Sequence, residues 1–240
     1  MLDINDLWDS CDEREWLAAL GACWPTLVGR NHPALAESVQ RVDLESVRRL
    51  GIQEWYEFLS RYFQLQFARK HLQQKLKELD SSSFEHLFSV KRSLVAMNES
   101  DLADTRKCLN LVRSPRIRGL DYPGASGLLA LLFQEWFGAA NTCVLSSLCK
   151  IESLPEKPKM REVRGWVKTG HDWRESDTTL VIDMLRRKAA QLNAKFGTSK
   201  WTPNSISMIL SAFNTGPICR ISCEEEGCPG TTFQTVRRKE

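Results

Sequence analysis

Gly119-Leu120-Asp121-Tyr122-Pro123-Gly124-Ala125-Ser126-Gly127-Leu128-Leu129-Ala130-Leu131-Leu132-Phe133 is the stretch whose reading decides the fold. Three arginines, Arg113, Arg116 and Arg118, lead into it. Glycines then mark a turn, and an almost wholly apolar helix follows. Two helices around a tight turn are the simplest structure this pattern supports.

With its basic approach, the pattern has the layout of a helix-hairpin-helix, which holds DNA without reading its sequence. Gly119 and Gly124 let the backbone pass close to a phosphate. The N–H groups and positive dipole end of the second helix would face that phosphate, with Leu120 and Asp121 in the turn. The arginines would add affinity by releasing counterions. Asp121 stands where such a turn favours a second glycine. On pattern alone, an ordinary corner between two helices explains the same residues equally well.

Working outward, helical periodicity dominates the 240 residues and no convincing strand emerges. Trp8, Trp16 and Trp24 mark a first segment that ends near Pro25. A short helix spans Pro33 to Leu50 and is stopped by Gly51. Trp55, Phe58, Leu59, Tyr62 and Phe63 then form an aromatic stripe at helical spacing, read as core packing. It continues through Leu72, Leu76 and Leu79 to the break at Asp80-Ser81-Ser82-Ser83. Helices follow over Phe84 to Met97 and from an Asn98–Asp101 cap to Val112. Beyond the hairpin, Gly138 precedes a helix over Ala139 to Lys150. Residues 151–176, with Pro155, Pro158, Gly165 and Gly170, read as a long loop. A helix over Thr178 to Phe196 ends at Gly197, and Thr202-Pro203 opens a last one to Phe213.

The expected organisation is an all-α chain of two lobes. Residues 1–103 form an N-terminal helical lobe, 104–214 a hairpin core, and 215–240 a cysteine-containing tail. Hydrophobic residues make up 42% of the chain, enough for a proper core. The apolar run from Leu128 to Phe133 is too short to cross a bilayer. An acidic N-terminus without an apolar leader segment and 8 scattered cysteines suggest a cytoplasmic, reduced chain without a membrane partner. A formal charge of +3 is too small to imply nucleic acid by itself, so any such surface must come from local clustering.

The segment from Ile117 to Leu148 resembles the core of the helix-hairpin-helix superfamily of base-excision DNA glycosylases. More closely, the chain resembles an uncharacterised bacterial group within or beside that superfamily. Gly124 to Phe133 and Phe137-Gly138 carry the likeness. So do the basic helix from Arg186 to Phe196, Trp201-Thr202-Pro203 with Ile206 and Met208-Ile209-Leu210, and Glu57 to Phe63 upstream. The likeness spans roughly Ala34 to Asn214.

The resemblance implies a two-lobed fold with double-stranded DNA across its cleft. It also implies a catalytic Asp after the hairpin and, in some members, a Lys nucleophile just past the hairpin glycines. The matching positions here are Asn141 and Pro123. An uncharged amide is no general base, and proline has no amine for a Schiff base. The closing helix carries Ser207 and Ser211 where the related group has Asp and Trp. Asp121 and Asp172 are the only replacement acids suggested. The expectation is therefore a sequence-independent DNA-binding protein without glycosylase or lyase chemistry. The alternatives are an active monofunctional glycosylase of base-excision repair with an altered catalytic residue, and a helical protein-interaction module without DNA.

Other clusters are weaker. Arg186-Arg187-Lys188 reads equally as a phosphate contact or a solvated helix surface. His171-Asp172-Trp173-Arg174 reads as a solvated loop, and Lys200-Trp201 as packing. Cys219, Cys223 and Cys228 are read first as a tail without metal. The alternative, zinc or an iron–sulfur cluster, would need a fourth ligand such as Cys149 or His171.

Overall fold

The computed structural model describes residues 3–30, 39, 41–66, 69–114, 116–117 and 119–215, without side chains at 24–30, 69–71 and 215. The tail cysteines Cys219, Cys223 and Cys228, the guanidinium of Arg118 and the indole of Trp24 lie outside this description. Within it the chain is all-α: 13 helices and no strand. They are α1 (Ile4–Asp9), α2 (Glu13–Arg30), α3 (Leu44–Arg49), α4 (Ile52–Gln66), α5 (Arg69–Asp80), α6 (Phe84–Ala96) and α7 (Glu99–Leu102). The rest are α8 (Thr105–Val112), α9 (Tyr122–Leu132), α10 (Thr142–Leu148), α11 (Lys157–Lys168), α12 (Glu175–Phe196) and α13 (Pro203–Thr215).

Short polar residues start these helices by accepting from backbone N–H groups that have no partner inside the helix. Asp43 accepts from Ser46 N–H at 2.7 Å, and Asp104 from Lys107 N–H at 3.0 Å. Asn98 and Asp101 cap α7 reciprocally. The Asp104 cap splits the single helix expected between Asn98 and Val112 into α7 and α8. Gly197 ends α12 in the left-handed region at φ 63°, as its position predicts.

The apolar helix α9 packs against α4, α8, α12 and α13. A helix enclosed this way has no solvent face to reserve for polar residues, hence its all-round apolar sequence. The aromatic stripe is core, as read: Trp55, Phe58, Leu59, Tyr62 and Phe63 are all buried. The Tyr62 hydroxyl donates to the Gly124 carbonyl at 2.7 Å, tying α4 to the start of α9. A Cβ on Gly127 would lie 2.5 Å from that hydroxyl oxygen, so the two helices meet at glycine contact.

The first two helices pack across the boundary expected at residue 103. Trp16 in α2 meets Trp201 edge-on at a centroid distance of 5.9 Å, and α2 lies along α13. Lys200 pairs with Glu13 at 2.8 Å, and Trp201 is buried beside it. The chain's beginning and its last described helices therefore share one core.

The long loop expected over 151–176 contains α11. Pro158 occupies the first turn of that helix, where a missing N–H breaks no helical bond. Met160 and Val163 are buried on its inner face, and Val167 continues that face.

Candidate nucleic-acid interface

The stretch expected to form the hairpin comprises α8, the described residues 113–114, 116–117 and 119–121, and α9. The turn folds on itself. Ser114 N–H donates to the Leu120 carbonyl at 3.0 Å, Ile117 N–H to Ser114 at 3.1 Å, and Leu120 N–H to Ile117 at 2.7 Å. Ile117 and Leu120 are fully buried and anchor the turn in the core. A Cβ on Gly119 would sit 2.2 Å from the Phe63 ring, and one on Gly124 would sit 1.9 Å from the Gly119 carbonyl oxygen. Gly119, Leu120 and Gly124 thus serve close packing of the turn. Three of its N–H groups face the turn's own carbonyls.

Asp121 caps α9, its Oδ1 accepting from Gly124 N–H at 2.9 Å. A carboxylate thus occupies the positive end of the helix. The residue reaches solvent, yet its carboxylate is set against the protein. Lost hydration pushes its pKa above the usual value, while the Gly124 N–H and Lys75 pull it down. Asp172 raises it further, and Arg113 lowers it.

Of the expected contact arginines, Arg113 is exposed, its guanidinium 4.6 Å over the Tyr122 ring. Arg116 is exposed, and its carbonyl accepts from the Ser82 hydroxyl at 3.3 Å. A polar chain continues across the face. Tyr122 donates to Asn110 at 3.3 Å, Asn110 to Glu175 at 2.8 Å, and Arg106 pairs with Glu175 at 3.6 Å.

The positions matched to the catalytic pair are brought together. The Ser126 hydroxyl donates to the Pro123 carbonyl at 2.8 Å and accepts from Ala140 N–H at 2.9 Å, one residue before Asn141. Asn141 caps α10, its Oδ1 accepting from the N–H groups of Cys143 and Val144, both at 3.0 Å. Pro123 lies in the first turn of α9. Neither side chain supplies a charge or a nucleophile. On the closing helix, Ser207 is buried and donates to the Asn204 carbonyl at 2.9 Å.

The trio Arg186, Arg187 and Lys188 does not form one solvated patch. Arg186 donates to the carbonyls of Trp136 at 2.6 Å and Leu102 at 2.8 Å and to the Thr105 hydroxyl at 2.6 Å, and it lies over Phe137. Lys188 is buried, donates to the Trp8 carbonyl and to Gln191, and lies over both Trp8 and Trp16. Only Arg187 is exposed, and it pairs with Glu156. The docking of α1 and α2 encloses Lys188, and the carbonyls of Leu102 and Trp136 hold Arg186 inward.

The cationic surface that sequence reading missed is α11. Its helix carries Lys157, Lys159, Arg161, Arg164 and Lys168 against the single acid Glu162. Lys157 pairs with Glu152 and Lys159 with Glu162. Arg161 and Lys168 stand exposed. Beside them Trp166 is 37% exposed. Its indole N–H donates to the Asp172 carbonyl at 3.2 Å, and its ring lies 3.9 Å from His171 and 4.1 Å from the Arg174 guanidinium. The helical spacing of Met160, Val163 and Val167 was the available signal.

No protein-family model, curated protein or solved structure matches this chain. Among the described residues, no helix is long and apolar enough to cross a membrane. No group of three or more His, Cys, Asp or Glu residues among them is placed to hold a metal ion. Cys149 is buried and His171 packs on Trp166.

Proposed function

We propose that this chain is a sequence-independent DNA-binding protein built on a two-lobed, helix-hairpin-helix glycosylase-like fold, without glycosylase or lyase chemistry. The observation that carries the reading is the set of exposed cationic side chains: Arg113 and Arg116 on the hairpin, Arg161 and Lys168 on α11. Such groups attract the phosphate backbone whatever its sequence. Asp121 fills the helix end where a phosphate would sit, so contact falls to side chains more than to backbone N–H groups. Arg186 and Lys188 drop out of the interface because their charges are held inside. With Pro123 and Asn141 at the matched positions, binding proceeds without base release. Binding of two labelled duplexes of unrelated sequence at low salt tests this reading. Equal, salt-sensitive affinities are expected, and no binding to either overturns it.

A second reading has one specific observation in its favour. Asp121 has a raised pKa and a second carboxylate, Asp172, nearby. Two carboxylates held in unlike environments can divide acid and base work. Base release from damaged oligonucleotides that disappears in Asp121→Asn would establish this alternative. Absence of release across a lesion panel removes it.

A further inference from the structure

The helix α11 carries Lys157, Arg161, Arg164 and Lys168 at steps of four, three and four residues. With about 3.6 residues per turn, these positions fall within about 60° of arc and form one stripe along the helix. Lys157 is buried and taken by Glu152. Glu162, the single acid of α11, stands about 100° round from Arg161 and pairs with Lys159. Arg161 and Lys168 are exposed and Arg164 is half-buried, and among the described residues none of the three has an ion pair. Arg164 also keeps its Nε–H inside without an acceptor. Like charges three and four residues apart destabilise a helix. The acids at hand pair with Lys157 and Lys159, and the stripe is left uncompensated. That is a cost to the fold which an anionic partner would offset.

We infer that Arg161, Arg164 and Lys168 are the principal phosphate contacts of this chain, with α11 lying along one strand of duplex DNA. The inference rests on the nucleic-acid reading above and moves its main contact from the hairpin to α11. The hairpin is the poorer seat, because Asp121 fills the helix end with its own carboxylate and Arg113 lies over the Tyr122 ring. From Arg161 to Lys168 the helix rises about 10 Å, a length over which one DNA strand carries about three phosphates. The helix offers little to a protein partner. Met160, Val163 and Val167 pack on the core, and His171 and Arg174 lie against the Trp166 ring, so no free apolar anchor stands ready.

The test is fluorescence anisotropy on the full chain, with a labelled duplex over a salt series and with labelled polyglutamate. Arg161→Gln/Arg164→Gln/Lys168→Gln is expected to weaken duplex binding at least about tenfold and to make the salt slope shallower by about three. Arg113→Gln/Arg116→Gln is expected to cost less in both. Arg161→Glu separates binding from folding. It sets a carboxylate four residues from Lys157 and three from Arg164, so the melting temperature should hold or rise while duplex affinity falls. An α11 variant with wild-type affinity and slope, or a hairpin variant that loses as much or more, overturns the inference and leaves the DNA reading standing. A clear drop in the Arg161→Glu melting temperature gives Arg161 a structural role and overturns it as well. Polyglutamate bound as tightly as the duplex overturns it in favour of an acidic protein partner. Failure of the wild type to bind the duplex at low salt overturns both the inference and the DNA reading.

Discussion

The Asp121 carboxylate accepts from the Gly124 N–H at 2.9 Å and so supplies its own anion to the helix end that the hairpin pattern assigns to a phosphate. The two substitutions that separate its roles are Asn, which keeps the cap, and Ala, which removes it. Asp121→Asn is expected to leave stability within a few tenths of a kcal/mol, because Asn caps about as well as Asp. Removing the charge should raise DNA affinity on the order of fivefold. Asp121→Ala should lower stability by about 1 kcal/mol. Urea unfolding and anisotropy on the same samples check both. Unchanged affinity in the Asn variant would mean that the hairpin end lies away from the DNA.

The approach of α4 and α9 is set by Tyr62, Gly124 and Gly127. Tyr62→Phe leaves the Gly124 carbonyl without its buried donor and should cost about 1 kcal/mol. Gly127→Ala drives a methyl group against the Tyr62 hydroxyl and the Gln66 amide and should cost about 1–3 kcal/mol. Combined, the two should cost less than their sum, since removing the hydroxyl opens space for the methyl. A double-mutant cycle of unfolding free energies reads the coupling, and strict additivity would contradict the contact.

Arg186 and Arg187 are neighbours with opposite roles. Arg186→Met leaves the Trp136 and Leu102 carbonyls without their donor and should destabilise by on the order of 3 kcal/mol. Arg187→Met removes only an exposed ion pair with Glu156 and should change stability by less than about 1 kcal/mol. Melting temperatures of the two variants side by side check the assignment.

Burial pushes the Lys188 ammonium down to about 8. In the unfolded chain it titrates near about 10.4. Between those values the unfolded state holds the proton that the folded state has lost, so this group makes stability rise with pH across that window. Buried thiols act in the opposite sense. Burial pushes Cys23 up to about 12 and Cys108 up to about 11, and stability falls as the unfolded thiols ionise first. Comparing wild type with Lys188→Met cancels the thiols. The wild type should gain on the variant by up to about 3 kcal/mol from about pH 7.5 to about pH 10.5 in urea unfolding. A constant difference across that range would show that Lys188 titrates normally.

The packing half of the hairpin was legible. Gly124 to Phe133 is apolar because it is surrounded, and a solid apolar run says so directly. The glycines were legible as close approach, but the partner was not. Phe63, more than fifty residues upstream, packs against Gly119, and the Tyr62 hydroxyl against Gly127. Distance along the chain also hid the fate of Arg186 and Lys188. A local pattern shows three cations in a row, and only the docking of Trp8 and Trp16 reveals that one of them is enclosed. The helix α11 was missed because Pro155, Pro158 and Gly165 read as breaks. Pro158 in the first turn and Gly165 on an exposed face disturb little, and the apolar face through Met160 and Val163 persists between them.

Charge reversal of the exposed cations is the most direct test of DNA binding through side chains. Affinity for a short labelled duplex is measured over a salt series for the wild type and for Arg113→Glu/Arg116→Glu/Arg161→Glu. The wild type should bind at low salt with a steep inverse dependence on salt, and the triple variant should bind at least about tenfold more weakly with a shallower slope. A wild type that does not bind at low salt, or a folded triple variant with unchanged affinity and slope, would contradict the account.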